Sequence, residues 1–274
     1  KLWTALDAVA KYASNVAYAA GVPNATSTDT SQIAAAVELA KASDTVVLVL
    51  GTSLGWAEEG HDASQINFTA AQQQLISQTL AVVRKPVVVL LETAVPLDIA
   101  ELLASPKVGA VLHLGQPSVT VLGAAELLFG KVSPAGRTVQ TFYKAAYQDQ
   151  ISIFDFNMRP GPSTFARPDC FLNETKCPRG TNPGRTHRFF TGEPVVPFGF
   201  GLSYTTFAYA LASAPTASVI SLAPAQQLLD ATLAAGRTFP SSHLVNEAMP
   251  LASYLVNVTN TGTIDADDVV LGFL

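Results

Sequence analysis

The sequence predicts an α/β unit, a mostly parallel sheet sandwiched by helices, followed by the opening of an all-β sandwich. Three observations carry this. Short apolar runs alternate with amphipathic stretches through the first 140 residues, the rhythm of strands joined by helical crossovers. Apolar residues make up 49% of the 274 and charged residues 14%, which excludes a disordered chain and supplies a substantial core. Beyond Gly201 the pattern turns to short half-buried strands punctuated by a turn.

Taken in order, Lys1 to Ser14 reads as a helix and Val16 to Ala20 as a short strand. Asp29, Thr30 and Ser31 offer caps for a helix that lines up Ile33, Val37 and Ala40. Thr45 to Leu50 is a continuous apolar run ending at Gly51, which suits a strand buried on both faces. Thr69 and Gln72 form a capping-box pattern ahead of a helix carrying Ile76, Leu80 and Val83. Pro86 to Leu91 is the next strand, Leu97 to Ala104 a helix, and Val108 to Leu114 a further strand. A helix from about Ser118 stops at Gly130, and Arg137 to Phe142 suits an edge strand. Ligands of parallel sheets sit at the carboxyl ends of strands, which directs attention to the loops after Leu50, Leu91 and Leu114.

Asn157 to Gly201 holds seven Pro and six Gly in 45 residues, too many for regular structure, and reads as a long functional loop. Tyr204 to Tyr209 and Tyr254 to Val258 read as strands, Asn260-Thr-Gly262 as a turn, and Val269 to Leu274 as the start of a third strand. A helix is expected near Ala225 to Ala235. The expected domains are 1–145, a linker 146–202 packing on it, and 203–274.

With 16 Lys plus Arg against 21 Asp plus Glu, the net charge is −5 and no basic cluster exists, which argues against a nucleic-acid partner. The longest strong apolar run has strand length, so no membrane partner is expected either. The chain begins at Lys1 without a Met start or signal segment and stops at Leu274 inside an apolar run. Both ends read as cuts in something longer.

Four of nine asparagines (Asn24, Asn67, Asn173 and Asn257) stand in N-x-S/T sequons, an excess that favours a secreted glycoprotein or a lysosome- or vacuole-like compartment. Asn67 and Asn257 fall in or beside predicted elements, where glycans are less favoured. Cys170 and Cys177 bracket a short polar loop, and an oxidising compartment would join them as a disulfide.

The candidate chemistry lies in Trp56-Ala57-Glu58-Glu59-Gly60-His61-Asp62, just after the first strong strand. Glycosidic hydrolysis needs a carboxylic acid that donates to the leaving oxygen, and a neighbouring carboxylate helps such a group keep its proton. Trp56 offers a face for a sugar ring, with His61 and Asp62 beside it. The same run also reads as a solvated acidic turn. A metal site lacks a second ligand cluster, and no G-x-S-x-G elbow supplies a serine nucleophile. His113 sits inside an apolar strand and reads as a core histidine, while its position one residue before the strand's end leaves a pocket role open.

The run from Pro183 to Phe207, PGRTHRFFTGEPVVPFGFGLSYTTF, closely resembles the stretch linking the second and third domains of glycoside hydrolase family 3 enzymes, particularly the β-xylosidase-like branch. Gly51 through Asp62 resembles that family's acid/base loop, Val132-Ser-Pro-Ala-Gly-Arg137-Thr its "sPaGrl" turn, and Tyr254 to Gly262 a fibronectin-III-like strand. The resemblance covers nearly the whole chain. It implies the second domain, an α/β sandwich, and the start of a fibronectin-III-like third domain. It also implies a retaining exo-glycosidase without metal or organic cofactor, acting on an oligosaccharide or glycoside.

The Asp nucleophile would come from an N-terminal barrel domain outside this sequence, so the fragment alone is expected to be inactive. The branch pattern resembles E-x-E-G-x-D-R, which assigns the acid/base to Glu59, with Glu58 as the neighbouring candidate. Ala57 and Ala63 stand where the pattern has Glu and Arg, and they motivate a rival reading: a non-catalytic carbohydrate-binding or structural glycoprotein. Arg137 and Arg185 match arginines at turns. Arg159, in Asn157-Met-Arg159, is placed near the sugar pocket.

Overall fold

The computed structural model describes residues 3–168, 170, 177–215, 221–238 and 252–273. The chain divides into two compact units, one up to Leu202 and one from Ser203.

The first unit is α/β. Its central sheet has the order β1-β2-β3, with β1 Val47–Gly51, β2 Val87–Glu92 and β3 Val108–Gly115, all parallel. α3 Ala70–Val82 and α4 Ala100–Ala104 run between the strands, α1 Ala5–Ala10 and α2 Ile33–Ala42 precede β1, and α5 Val121–Leu128 follows β3. α1 packs on α5 and α2 on α3. The expected double burial falls on β2, the middle strand, where Val87, Val89 and Leu91 are fully buried. β1 is an edge, and its Val49 is 44% exposed, so the expectation for that strand is corrected. The core joins Leu48, Leu50, Trp56, Phe68, Leu75, Leu97 and Phe142 around β2.

α1 is capped by Thr4, whose hydroxyl accepts from Asp7 N–H while the Asp7 carboxylate accepts from Thr4 N–H. The helix is shorter than expected, and residues 16–20 form no strand. α3 starts as expected at Thr69, whose Oγ1 accepts from Gln72 N–H at 3.3 Å. The reciprocal half of the capping box is absent. Gln72 is buried, and its amide reaches the end of β1 instead.

Residues 137–142 form no strand. They lie alongside 195–200 through the single bridge of Phe142 to Val196 and the hydrogen bonds of Thr138 with Phe200 and Gly199. Prolines at 194 and 197 remove the donors that a longer ladder would need. The 157–201 stretch, expected to lack regular structure, contains an antiparallel pair, β4 Gly161–Ala166 with β5 Arg179–Asn182, and a short helix α6 Thr186–Phe189. A disulfide joins Cys170 to Cys177 across the tip of that pair.

The second unit holds β6 Phe207–Ser213 paired antiparallel with β7 Leu255–Asn260, and the helix α7 Ala223–Ala234. Asn260 organises the following turn: its Oδ1 accepts from Thr205 Oγ1 and Gly262 N–H, and its Nδ2 donates to Ile264 O. The third strand expected from Val269 does not form among the described residues. Both faces of the β6–β7 pair are largely exposed.

Candidate functional site

The 52–68 loop leaves β1 from a tight root. A Cβ on Gly51 would lie 1.8 Å from Glu92 O, so only glycine fits there. The Gln72 side chain clamps the same residue: its Oε1 accepts from Gly51 N–H at 3.2 Å, and its Nε2 donates to Gly51 O at 3.0 Å and Ala25 O at 2.9 Å. Thr52 N–H donates to Glu92 O, and its hydroxyl reaches the buried Thr93 hydroxyl at 3.0 Å. The far end is stitched as firmly. Ile66 N–H donates to Gln148 Oε1 at 2.8 Å, and Asp98 N–H donates to Ile66 O at 2.7 Å.

Trp56 is 5% exposed and belongs to the core, with its Nε1 donating to Gln65 O at 3.2 Å. It is therefore an anchor of the loop, which corrects the expectation of an open face for a sugar. Ala57 and Ala63 also pack against the core. The acidic tip beyond them is a two-residue reversal. Glu58 and His61 exchange both backbone hydrogen bonds at 2.9 Å, which leaves Glu59 and Gly60 at the corner. Gly60 has φ +79° while Glu59 keeps an ordinary negative φ, the pattern of a type II turn. A Cβ on Gly60 would meet nothing, so the glycine serves the backbone angle alone. Glu58, Glu59, His61 and Asp62 are all exposed.

Sequence reasoning brings Glu58, Glu59, His61 and Asp62 to one turn, but the structure does not add Arg159 to it. The Arg159 guanidinium lies 4.7 Å from the Phe189 ring centroid and lines a cleft of about 190 Å³ with Asn157, Pro162 and Asn182. That cleft rests on a buried polar frame. Asp155, 1% exposed, accepts from Asn157 N–H at 2.9 Å. The Ser163 hydroxyl, with help from Asn157, holds its carboxyl below the usual range. Arg185 donates to Asp155 O at 2.7 Å, and Asn182 donates to Asn157 O at 2.7 Å. Burial pushes the nearby Tyr147 phenol up to about 12.

Two further titratable groups with shifted pKa values lie on the central sheet, outside the acidic turn. Glu92 ends the central strand, and burial raises its pKa. Its signal is a lone carboxylate closing an otherwise apolar run at the sheet's carboxyl edge. His113 packs edge-on to Phe142 at 5.2 Å, and burial lowers its pKa against an opposing backbone hydrogen bond with Thr93. Among the described residues no group of three His, Cys, Asp or Glu side chains is arranged to hold a metal. Asn24 and Asn257 are exposed, and Asn67 is half-buried before α3. Asn173 lies outside the described residues.

An exposed carboxyl at the tip of a loop fixed at both ends can give or take a proton on a group presented from outside the unit. The family model for the glycosyl hydrolase family 3 C-terminal domain matches residues 1–204. The probable β-D-xylosidase 6 of Arabidopsis thaliana is 33% identical over 96% of this chain and 32% of its own length. The probable exo-1,4-β-xylosidase xlnD of Neosartorya fischeri is 35% identical over 100% of this chain and 31% of its own. The chain thus spans about a third of the length of these relatives. Among solved structures, a GH3 exo-β-xylosidase in complex with a xylobiose aziridine activity-based probe is similar with TM-score 0.74 and 30% identity, over 97% of this chain and 31% of that one.

Proposed function

The chain belongs to glycosyl hydrolase family 3, and on that premise we propose that it supplies the acid/base part of a retaining exo-β-glycosidase releasing xylose or glucose from non-reducing ends. One observation carries the reading: Glu59 sits exposed at the corner of a glycine-dependent turn, on a loop clamped to the carboxyl end of a parallel strand. The relatives and the solved neighbour named as β-xylosidases support xylose as the first sugar to test.

Glu59 protonates the leaving oxygen as the glycosyl group passes to an Asp of a barrel domain outside this chain. It then draws a proton from water in the second step. Retention asks for the two carboxyls about 5–5.5 Å apart across the bond. Residues 1–145 are then the α/β domain, 146–202 the linker and 203–274 a fibronectin-III-like domain. The sequons at Asn24, Asn67, Asn173 and Asn257 and the Cys170–Cys177 disulfide support a secreted or vacuole-like setting.

The test is hydrolysis of xylobiose and of an activated aryl β-xyloside by the complete polypeptide, with and without Glu59→Ala. Loss of general-acid help should slow xylobiose about 10²–10⁴-fold. Glycosyl transfer from the aryl substrate, whose leaving group needs little protonation, should persist. If Glu59→Ala changes neither and Glu58→Ala does, the assignment moves one residue. A wild type inert on both substrates would favour a non-catalytic glycoprotein, the reading that Ala57 and Ala63 motivate.

A further inference from the structure

Between residues 153 and 165 the first unit turns a row of large apolar side chains to solvent. Phe156 is 85% exposed and Phe154 66%, and Ile153, Met158 and Phe165 are exposed with them. The Phe154 and Phe165 rings lie 6.3 Å apart, so β4 and the loop before it share one surface. Single apolar residues on a surface are ordinary, but a cluster of this kind marks an interaction site.

The exposure does not come from a loose loop. The Arg185 guanidinium donates to Ser152 O at 3.4 Å and to Asp155 O at 2.7 Å. Asn182 donates to Asn157 O at 2.7 Å, and Arg185 N–H donates to Met158 O at 2.9 Å. The buried Asp155 carboxylate accepts from Asn157 N–H. With these polar groups drawn inward, the apolar side chains between them are presented from a fixed backbone, which lowers the ordering cost of docking.

The composition fits an interface core. From Ile153 to Phe165 the segment holds Phe, Met and Arg but no Lys or Glu, and its one carboxylate, Asp155, is buried. At its edge the exposed Arg159 and Arg188 guanidiniums lie 4.7 and 5.4 Å from the Phe189 ring centroid. Neither forms an ion pair among the described residues. Two such cations beside an apolar row call for carboxylates facing them. The chain spans 32% and 31% of the lengths of the two plant and fungal relatives, which leaves more than half of such a polypeptide elsewhere.

We propose that this surface is the seat of a further domain of the same polypeptide, outside this chain, which covers the apolar row and sets carboxylates against Arg159 and Arg188. A two-fold pairing of this chain would instead bring both arginine pairs into one interface, with no exposed carboxylate of the patch to meet them. Gln148, shortly before the patch, holds Ile66 at the far end of the 52–68 loop, so a body seated on the patch comes alongside that loop. The proposal rests on the reading that the complete polypeptide holds such a domain, and not on any role for Glu59.

The test places a photo-cross-linker in the complete polypeptide, Phe156→p-benzoylphenylalanine, and reads the joined peptides by mass spectrometry. The expected product is a cross-link to a peptide outside residues 1–274, at a yield that dilution does not change. A cross-link to a second copy, cross-links confined to residues 1–274, or none overturns the proposal. Hydroxyl-radical labelling of wild-type Phe156 and Met158 needs no variant. Both should be labelled severalfold more slowly in the folded polypeptide than in urea, and equal rates overturn the proposal. Arg159→Glu together with Arg188→Glu should cut the cross-link yield severalfold, and an unchanged yield overturns the charge match. Hydrolysis of the aryl β-xyloside by the same wild-type sample keeps the two readings apart. An inert polypeptide with the expected cross-link loses the glycosidase alone, and an active one without it loses this docking surface alone.

Discussion

The 52–68 loop and the 141–201 segment are both irregular and both flank the same core, yet they are held in opposite ways. The loop is fixed at its two ends, by Gln72 on Gly51 and by Gln148 and Asp98 around Ile66, and among the described residues its acidic tip makes only the two hydrogen bonds of its own turn. The longer segment is fixed by the buried Asp155 and Asn182, by the half-buried Arg185, and by the Tyr143–Tyr147–Phe190 ring cluster. A group that must meet a substrate presented from elsewhere gains from an exposed tip on a rigid root. A segment that forms walls gains from internal anchoring. Which of the two designs a stretch uses follows from where its polar side chains point, not from how many prolines and glycines it holds.

Substitutions can break this contrast at either side. The largest stability effect is expected at the root. Trp56→Ala should cost about 3–5 kcal/mol in urea unfolding of the chain, as deletion of a large core ring does, whereas Glu59→Gln at the exposed tip should stay within about 0.5 kcal/mol. Similar losses at both sites would mean the tip is not free. Gln72→Leu should follow at about 2–3 kcal/mol, since it leaves the buried Gly51 N–H without its acceptor and Gly51 O without its donor. In the complete polypeptide it should also lower kcat by loosening the loop.

On the other side of the comparison, replacing Cys170 and Cys177 by serine opens a short loop and should cost about 2 kcal/mol. An unchanged urea midpoint would show that the wall segment does not depend on that tip.

The smallest effect is in pH dependence. Burial lowers the pKa of His113 from 6.5, so the folded chain resists a proton that the unfolded chain accepts. Its contribution is complete above about pH 6.5 and is lost as pH falls through the folded value. Glu92 runs the other way: raised from 4.5 by burial, its contribution is complete below that value and is lost as pH rises through the folded one. His113→Phe should therefore flatten the rise of stability towards pH 6.5, and Glu92→Gln should remove a decline that begins above pH 4.5. Chemical denaturation between pH 4 and 7.5 separates the two, and unchanged slopes would contradict both assignments of burial.

The alternation of strands and helices is legible because apolar runs such as Pro86 to Leu91 have strand length and sit between stretches of helical pattern. What the runs could not reveal was rank within the sheet. Val49 looks as apolar as Val89, but one faces solvent on an edge strand and the other is fully buried in the middle. The capping-box pattern at Thr69 and Gln72 identified the helix start and hid the more consequential bond, because a local motif does not show that a side chain can reach a distant strand end. Residues 161–182 failed as a prediction for a related reason. Strand pairing there is supported by long-range polar contacts and the Cys170–Cys177 bond rather than by alternating hydrophobicity. Within the acidic turn the spacing Glu58-Glu59-Gly60-His61 did carry its geometry, since glycine at the third position selects the reversal. Trp56 misled because ring chemistry suggested a ligand where burial serves the core.

The central claim is that Glu59 alternates as acid and base while a carboxylate outside this chain holds the sugar. The most direct measurement is the product formed by the Glu59→Ala complete polypeptide on an activated aryl β-xyloside with added azide. The account predicts restored turnover and a β-xylosyl azide, because azide needs no general base and attacks the covalent intermediate from the face the aryl group left. Unchanged wild-type-like hydrolysis without azide, or an azide product of α configuration, would contradict it.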